Sequence, residues 1–280
     1  SASLRYAPTR DHELSLTHSS SYTRPSYRDL LGYTSVASAA FLRKGNSELR
    51  TAYRRGLSLN YTYMRAAQLE LSYTDTEDPI VEAIPPMYGG GITLRRYNLD
   101  YSRTLRALLV LPLPLVSQKK FSWLALTILA AQRQWDAGHI EMTDYSAALN
   151  TQFVQHRHSF SLPSDWTVDL GVTYYSGVLY ELYRIQRQWW VDASVSKRMG
   201  NLRATLSARD PFNTNIARGS YNPVVNGLAF ERNWHSPRLE LTISYSWGKK
   251  SVKAQDTRAR YDDLKRLTTG ASEGMNTPAQ

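Results

Sequence analysis

His156 and His158 have the spacing closest to a ligand set. One intervening residue puts both imidazoles on the same face of an extended strand, as a metal pair would need. No third ligand is identifiable, and the same alternation adds Asn150 and Gln152 to that face, so the pair reads as part of a polar lumen wall. Asp75, Glu77 and Asp78 offer oxygen ligands to a calcium ion, but at a strand–loop junction they read as solvated charge. Pro85-Pro-Met-Tyr-Gly-Gly-Gly91 has the glycines of a phosphate loop without its Lys and Ser/Thr, and reads as a flexible loop tip. The alternating part of the chain holds no Gly-x-Ser-x-Gly nucleophile elbow. The expectation is a protein that is not an enzyme, with no catalytic residue, no metal ligand and no cofactor.

Extended elements must carry these groups. Tyr53, Arg55, Leu57, Leu59, Tyr61 and Tyr63 share one face of a segment whose other face carries Arg54, Gly56, Ser58, Asn60 and Thr62. Residues 166–174, 202–209 and 239–247 alternate with the same two-residue period, which is the signature of strands. About eleven strands are predicted, at 2–7, 12–23, 51–63, 68–77, 92–106, 120–134, 141–160, 165–179, 186–198, 201–210 and 228–247. The stretch 121–131, apolar on both faces, fits least well.

The connections alternate in length. Those at 8–11, 64–67, 162–165 and 199–200 are short, whereas 24–50, 78–91 and 211–227 are long. Three break the rule: 107–119 is long on the short side, and 135–140 and 180–185 are brief on the long side. Short turns at one end and long loops at the other describe an outer-membrane barrel. A soluble sandwich or lipocalin-like barrel also alternates, but three features favour the membrane. The strands are long, and the polar face carries Asp, Glu and Arg at mid-strand. Aromatics gather near strand ends at Tyr22, Tyr61, Tyr63, Tyr73, Trp135, Trp166, Tyr174, Trp189 and Trp247.

Composition agrees. The chain has 19 Tyr and 7 Trp against 6 Phe, rings with one dry and one wet end. It has no cysteine, so thiolate metal sites and disulfides are excluded. The net charge of +10 is scattered along the chain, which argues against a nucleic-acid partner. The apolar run at 108–116 is far shorter than the ~20 residues of a spanning helix and carries two prolines. The chain opens at Ser1 in strand-like sequence without Met or signal peptide, and is expected to be cut from something longer. An odd count near eleven suggests part of a larger, 22-stranded, antiparallel transmembrane barrel over residues 1–248. Residues 249–280 lose the alternation and form a basic tail, with one or two helical turns expected at 258–267.

One connection raises a question of its own. The segment from Tyr22-Thr-Arg-Pro-Ser-Tyr-Arg-Asp-Leu to Gly45-Asn-Ser-Glu-Leu-Arg50 is rich in Tyr and Arg and too long for a hairpin turn. It resembles the loop of the outer membrane protein beta-barrel family within the TonB-dependent receptors, in which Arg-Pro-Ser-Tyr is followed about twenty residues on by Gly-Asn-Pro-x-Leu-x-Pro-Glu. Ser47, Thr51 and Ala52 depart from that pattern. Arg209-Asp-Pro-Phe-Asn-Thr-Asn215 is similar to the family's Asp-x-Phe-Asn-Thr-Asn, and 238–250 to its closing strand and basic exit.

The resemblance implies the C-terminal half of a TonB-dependent receptor that imports a nutrient across the Gram-negative outer membrane. A structural or adhesive barrel without transport is the alternative. Expected partners are outer-membrane lipid, an upstream plug domain, an inner-membrane TonB-type energy-coupling complex and a surface lipoprotein. The 24–50 loop is expected outside the cell and the 249–280 tail in the periplasm. Tyr22, Arg24, Tyr27, Tyr33, Arg43, Asn46, Asn213 and Asn215 are the candidate ligand contacts. Pro25 is expected to fix φ as the chain leaves its strand, and Gly45-Asn46 to supply positive φ for the return.

Overall fold

The computed structural model describes residues 1–36, 41–84, 92–141, 143–221, 228–233 and 237–247. In chain order, the strands begin with β1 (Ala2–Tyr6), β2 (His12–Thr23), β3 (Thr34–Val36), β4 (Phe41–Lys44), β5 (Ala52–Tyr63), β6 (Ala67–Glu77), β7 (Ile80–Ala83) and β8 (Ile92–Asn98). The long central strands are β9 (Tyr101–Ser117), β10 (Ser122–Ile140), β11 (Thr143–Leu162) and β12 (Trp166–Tyr175). The remainder are β13 (Val178–Tyr180), β14 (Tyr183–Ile185), β15 (Gln188–Met199), β16 (Leu202–Arg209), β17 (Ile216–Tyr221), β18 (Ala229–Asn233) and β19 (Arg238–Tyr245). One short helix, α1 (Tyr27–Leu30), follows β2. Among the described residues no helix is long and apolar enough to cross a membrane.

Eleven strands form one sheet in the order β1-β2-β5-β6-β9-β10-β11-β12-β15-β16-β19. From β1 to β16 every neighbouring pair is antiparallel. The chain therefore meanders, and its connections separate by length. Residues 7–11, 64–66, 118–121, 163–165 and 200–201 turn at one end, while all four excursions that carry extra strands lie at the other. Among the described residues the sheet does not close, and β1 and β19 are its edges.

Three predicted strands fuse separate elements, one of them 165–179, which takes in β12 and the first two residues of β13, and three predicted connections dissolve. The span 92–106 covers both β8 and the first part of β9, and 228–247 covers both β18 and β19. The supposed loop 107–119 is mostly strand: β9 runs through Pro112 and Pro114, and its turn is only 118–121. Prolines two apart lack their N–H groups on the same edge, and beyond Val110 the β6 side of β9 is unpaired, so no ladder bond is lost. The supposed connection 135–140 belongs to β10, and 180–185 holds the last residue of β13 and all of β14. The predicted loop tip 85–91 and the tail 249–280 with its helical turns lie outside the described residues.

Register defines the faces. The row through Leu14, Tyr61, Leu69, Leu109, Leu129, Val154, Tyr174 and Trp189 is apolar throughout and marks the outer face. Its aromatic members lie toward opposite ends of the strands: Tyr61 is near the turns, and Tyr174 and Trp189 are near the loops. That diagonal is what tilted barrel strands produce between two interface girdles. His156 and His158 share this outer face with Val154, opposite Val172 and Leu170. The expectation of a polar lumen wall is thus corrected. The pair sits at the turn end, where Thr127 Oγ1 is 2.8 Å from His156 Nδ1 and Trp123 Nε1 donates to His158 Nδ1 at 2.9 Å.

The hydrophobic core lies in the loops. Two four-stranded sheets are built there from different excursions: β3-β4-β8-β7, in which β4 and β8 pair in parallel, and β13-β14-β17-β18. Val81, Ala83, Ile84, Tyr97 and Leu99 from the first excursion pair meet Leu182 and Tyr221 from the second. Ile140 and Tyr145, at the top of the β10–β11 hairpin, complete the cluster. Both point to the inner face, so the loops fold inward over the sheet. Tyr221 Oη accepts the Ile84 N–H at 2.7 Å, and the Glu181 carboxylate accepts the Glu82 N–H at 3.0 Å, tying the two small sheets together. Gly138 permits the contact, because a Cβ there would stand 2.6 Å from Leu99 Cα.

Candidate functional site

The loop end positions two cavities on the inner face. The first, about 580 Å³, runs along β11, β12, β15 and β16 and is lined by Arg157, Asp169, Trp190, Asp192, Ser194, Ser207, Arg209 and Asn215. Its acidic and basic groups are interleaved: Ser194 Oγ donates to Asp169 at 3.1 Å, and Asp192 faces Arg209 across the ladder. Phe153, Tyr175 and Trp190 place three rings beside it on adjacent strands, at centroid distances of 4.7 and 5.9 Å.

Asp210 closes this cavity at the top of β16. It is 1% exposed, and its carboxylate accepts the Thr214 N–H at 2.8 Å, the Thr214 hydroxyl at 3.0 Å and the Asn215 N–H at 3.0 Å. The Asp-x-Phe-Asn-Thr-Asn block is thus a turn locked by its own first residue. Asp210 and Asn213 both have positive φ, 42° and 51°, which short polar side chains tolerate best. Asn215 reaches the cavity, whereas Asn213 faces Asn233 across the loop at 3.4 Å.

The second cavity, about 530 Å³, lies under the 24–50 segment. Its floor is Thr23, Ala52, Arg54 and Thr76 on the inner faces of β2, β5 and β6, and its rim is Arg24, Pro25, Ser26, Arg28, Asp29, Arg43, Pro79, Ile80 and Arg96. Ser26 caps α1, accepting the Asp29 N–H at 3.2 Å. Asn46 is the latch of this loop. It is 6% exposed; its amide donates to Arg96 O at 2.9 Å, and its carbonyl accepts from Glu48 N at 3.1 Å and Arg95 at 3.2 Å. Gly45 is needed for close approach: a Cβ would fall 1.6 Å from the Leu31 carbonyl oxygen. Neither Gly45 nor Asn46 has positive φ, so the expectation of a left-handed turn there is replaced by this contact.

The sequence-derived residues separate accordingly. Arg24 and Arg43 line the second cavity together. Arg43 also pairs with Glu82 at 2.6 Å, and Arg24 lies 5.2 Å from the Tyr22 ring centre. Tyr22 faces Tyr53 across β2 and β5 on the outer face, while Tyr27 and Tyr33 are exposed on the loop, 78% and 53%. Arg28, Arg54 and Arg96 escaped the sequence reading. Arg54 was legible as a polar-face residue, but its place beneath the loop needs the β2–β5 pairing.

In the cap, burial first and then a hydrogen bond to Glu141 push the Tyr97 hydroxyl up. Burial likewise raises Tyr221 and the Glu181 carboxyl. No group of three or more His, Cys, Asp or Glu side chains is arranged to hold a metal among the described residues. One Gly-x-Ser-x-Gly pattern does occur, at Gly270-Ala-Ser-Glu-Gly274, in the tail beyond the alternating strands and outside the described residues.

Comparison with known proteins gives one match. The model of the outer membrane protein beta-barrel family aligns with residues 1–245. No curated protein matches, and no solved structure matches.

Proposed function

The chain belongs to the outer membrane protein beta-barrel family, and from that premise we propose that it forms the C-terminal half of a TonB-dependent outer-membrane receptor that imports a nutrient. An all-β sheet with an apolar outer face places the protein in the outer membrane, consistent with this family. The observation that carries the transport reading is on the inner face of β9 and β10. There Leu108, Val110, Leu126 and Ile128 form an apolar island bordered by Gln68, Glu70, Gln155 and Arg157. Water alone is a poor neighbour for such a surface. A plug domain inside the barrel would cover it, as in 22-stranded transporters whose lumen is filled. The inward-folded loop cap then forms the outer gate, and energy for plug movement comes from an inner-membrane TonB-type complex. A surface lipoprotein partner would dock on the cap.

Growth on limiting nutrients tests this reading. A strain lacking the gene and a strain lacking the energy-coupling protein should fail on the same source, and the double deletion should grow no worse than either. A structural or adhesive barrel would instead give envelope leakage or lost adhesion with no source-specific defect.

A further inference from the structure

We infer that the cavity beneath the 24–50 segment is a binding site for a small soluble anion carrying two or more phosphate or carboxylate groups. Five guanidinium groups, Arg24, Arg28, Arg43, Arg54 and Arg96, line one cavity of about 530 Å³. Among the described residues two carboxylates lie within ion-pair distance of them: Arg43 pairs with Glu82 at 2.6 Å, and Asp29 lies 3.5 Å from Arg96 Nε, with Glu181 also acting on Arg96. Three positive charges are left uncompensated. Among the described residues Arg24, Arg28 and Arg54 have no carboxylate within ion-pair distance. The Nε atoms of Arg43 and Arg96 are buried without a hydrogen-bond partner. Those two atoms are enclosed by protein, so the groups that an anion's planar oxygens would meet are the exposed guanidiniums of Arg24, Arg28 and Arg54.

Size and placement narrow the ligand. The volume suits a small molecule, and Pro25, Pro79 and Ile80 offer an apolar wall for its carbon skeleton while Thr23, Ser26 and Thr76 offer hydroxyls. Arg54 and Thr76 face each other across β5 and β6 on the inner face. The site therefore opens to the lumen, away from lipid headgroups on the outer face. Repulsion among the three guanidiniums without an ion pair works against closure of the loop, which the Gly45–Asn46 latch holds down. This inference concerns binding alone and stands whether or not the barrel transports.

Isothermal titration of the detergent-solubilised full-length protein with citrate and with inorganic pyrophosphate provides the test. At least one probe should bind, weakening at least tenfold in Arg54→Gln and in Arg28→Gln and also on raising the salt concentration. Both arginines are exposed, so these variants should keep the wild-type heat-modifiable gel band. Arg10→Gln, in the β1–β2 turn at the opposite end, should bind like wild type. Three results would overturn the assignment: no binding of either probe at millimolar concentration and low salt, unchanged affinity in both variants, or a phosphate-bearing lipid that copurifies with wild type and is lost in Arg54→Gln while neither probe binds.

Discussion

At the scale of single residues, the loop motif works through contacts the motif itself does not reveal. Asn46→Ala would orphan the Glu48 N–H and the Arg96 carbonyl in a buried site, costing about 2–3 kcal/mol. Gly45→Ala would force the Leu31 carbonyl aside, costing about 3 kcal/mol or more. Both variants should speed trypsin cleavage after Arg28 on intact cells, while an exposed change such as Tyr27→Ser leaves the rate unchanged. Glu181 gives a pH test. Burial raises its carboxyl, chiefly by desolvation and against the Glu82 N–H and Arg96, so the folded cap takes up a proton more readily than the unfolded chain. Its contribution to stability is present below the unfolded value and is lost as pH rises through the folded one. Glu181→Gln should therefore be more protease-resistant than wild type at neutral pH, and the gap should close on acidification. A gap that widens in acid would contradict the burial argument. Asn46 was legible as a motif residue and candidate contact but not as a latch, because its partner Arg96 lies 50 positions away, whereas the carboxylate partners of Asp210 lie within its own motif, at Thr214 and Asn215.

Among the elements, those with one apolar face were legible and those without were not. β2, β5, β6, β15 and β16 alternate cleanly, and their predicted spans match to within two residues. β9 and β10 are apolar on both faces at their turn ends, which removes the period-two signal, and two prolines in β9 imitate a loop. The small strands β7, β8, β17 and β18 belong to sheets in which loops from different hairpins pair, β4 with β8 and β14 with β17, a long-range event that leaves little periodicity in segments of four to seven residues. Their cohesion can be tested at one atom. Tyr221→Phe removes the acceptor for the Ile84 N–H, whose residue is 2% exposed, and should cost about 1–3 kcal/mol. Hydrogen exchange should then accelerate together in β7 and β17 while the β10–β11 hairpin keeps its protection. Acceleration confined to β17 would show that the two loop sheets are held independently.

For the whole molecule, the open sheet is the feature with the largest energetic consequence. Hydrocarbon offers no hydrogen bonds, so each unpaired backbone group on an edge in lipid costs several kcal/mol. Among the described residues β1 and β19 each have one neighbour in the sheet, and an eleven-strand meander would bring them together in parallel if it closed on itself. Bacterial single-chain barrels use even strand numbers, which avoids such a seam. A larger sheet would seat β1 and β19 against further antiparallel strands, and the apolar outer face of β19, with Leu239, Leu241 and Ile243, would continue the lipid-facing surface. The 280-residue chain refolded alone in detergent should thus run on an unheated gel where its boiled form runs, and trypsin should degrade it. The full-length protein should give a faster, protease-resistant band that shifts on heating. A sharp heat-shifting band from the 280-residue chain alone would mean that these eleven strands close by themselves, and the half-barrel reading would have to be abandoned.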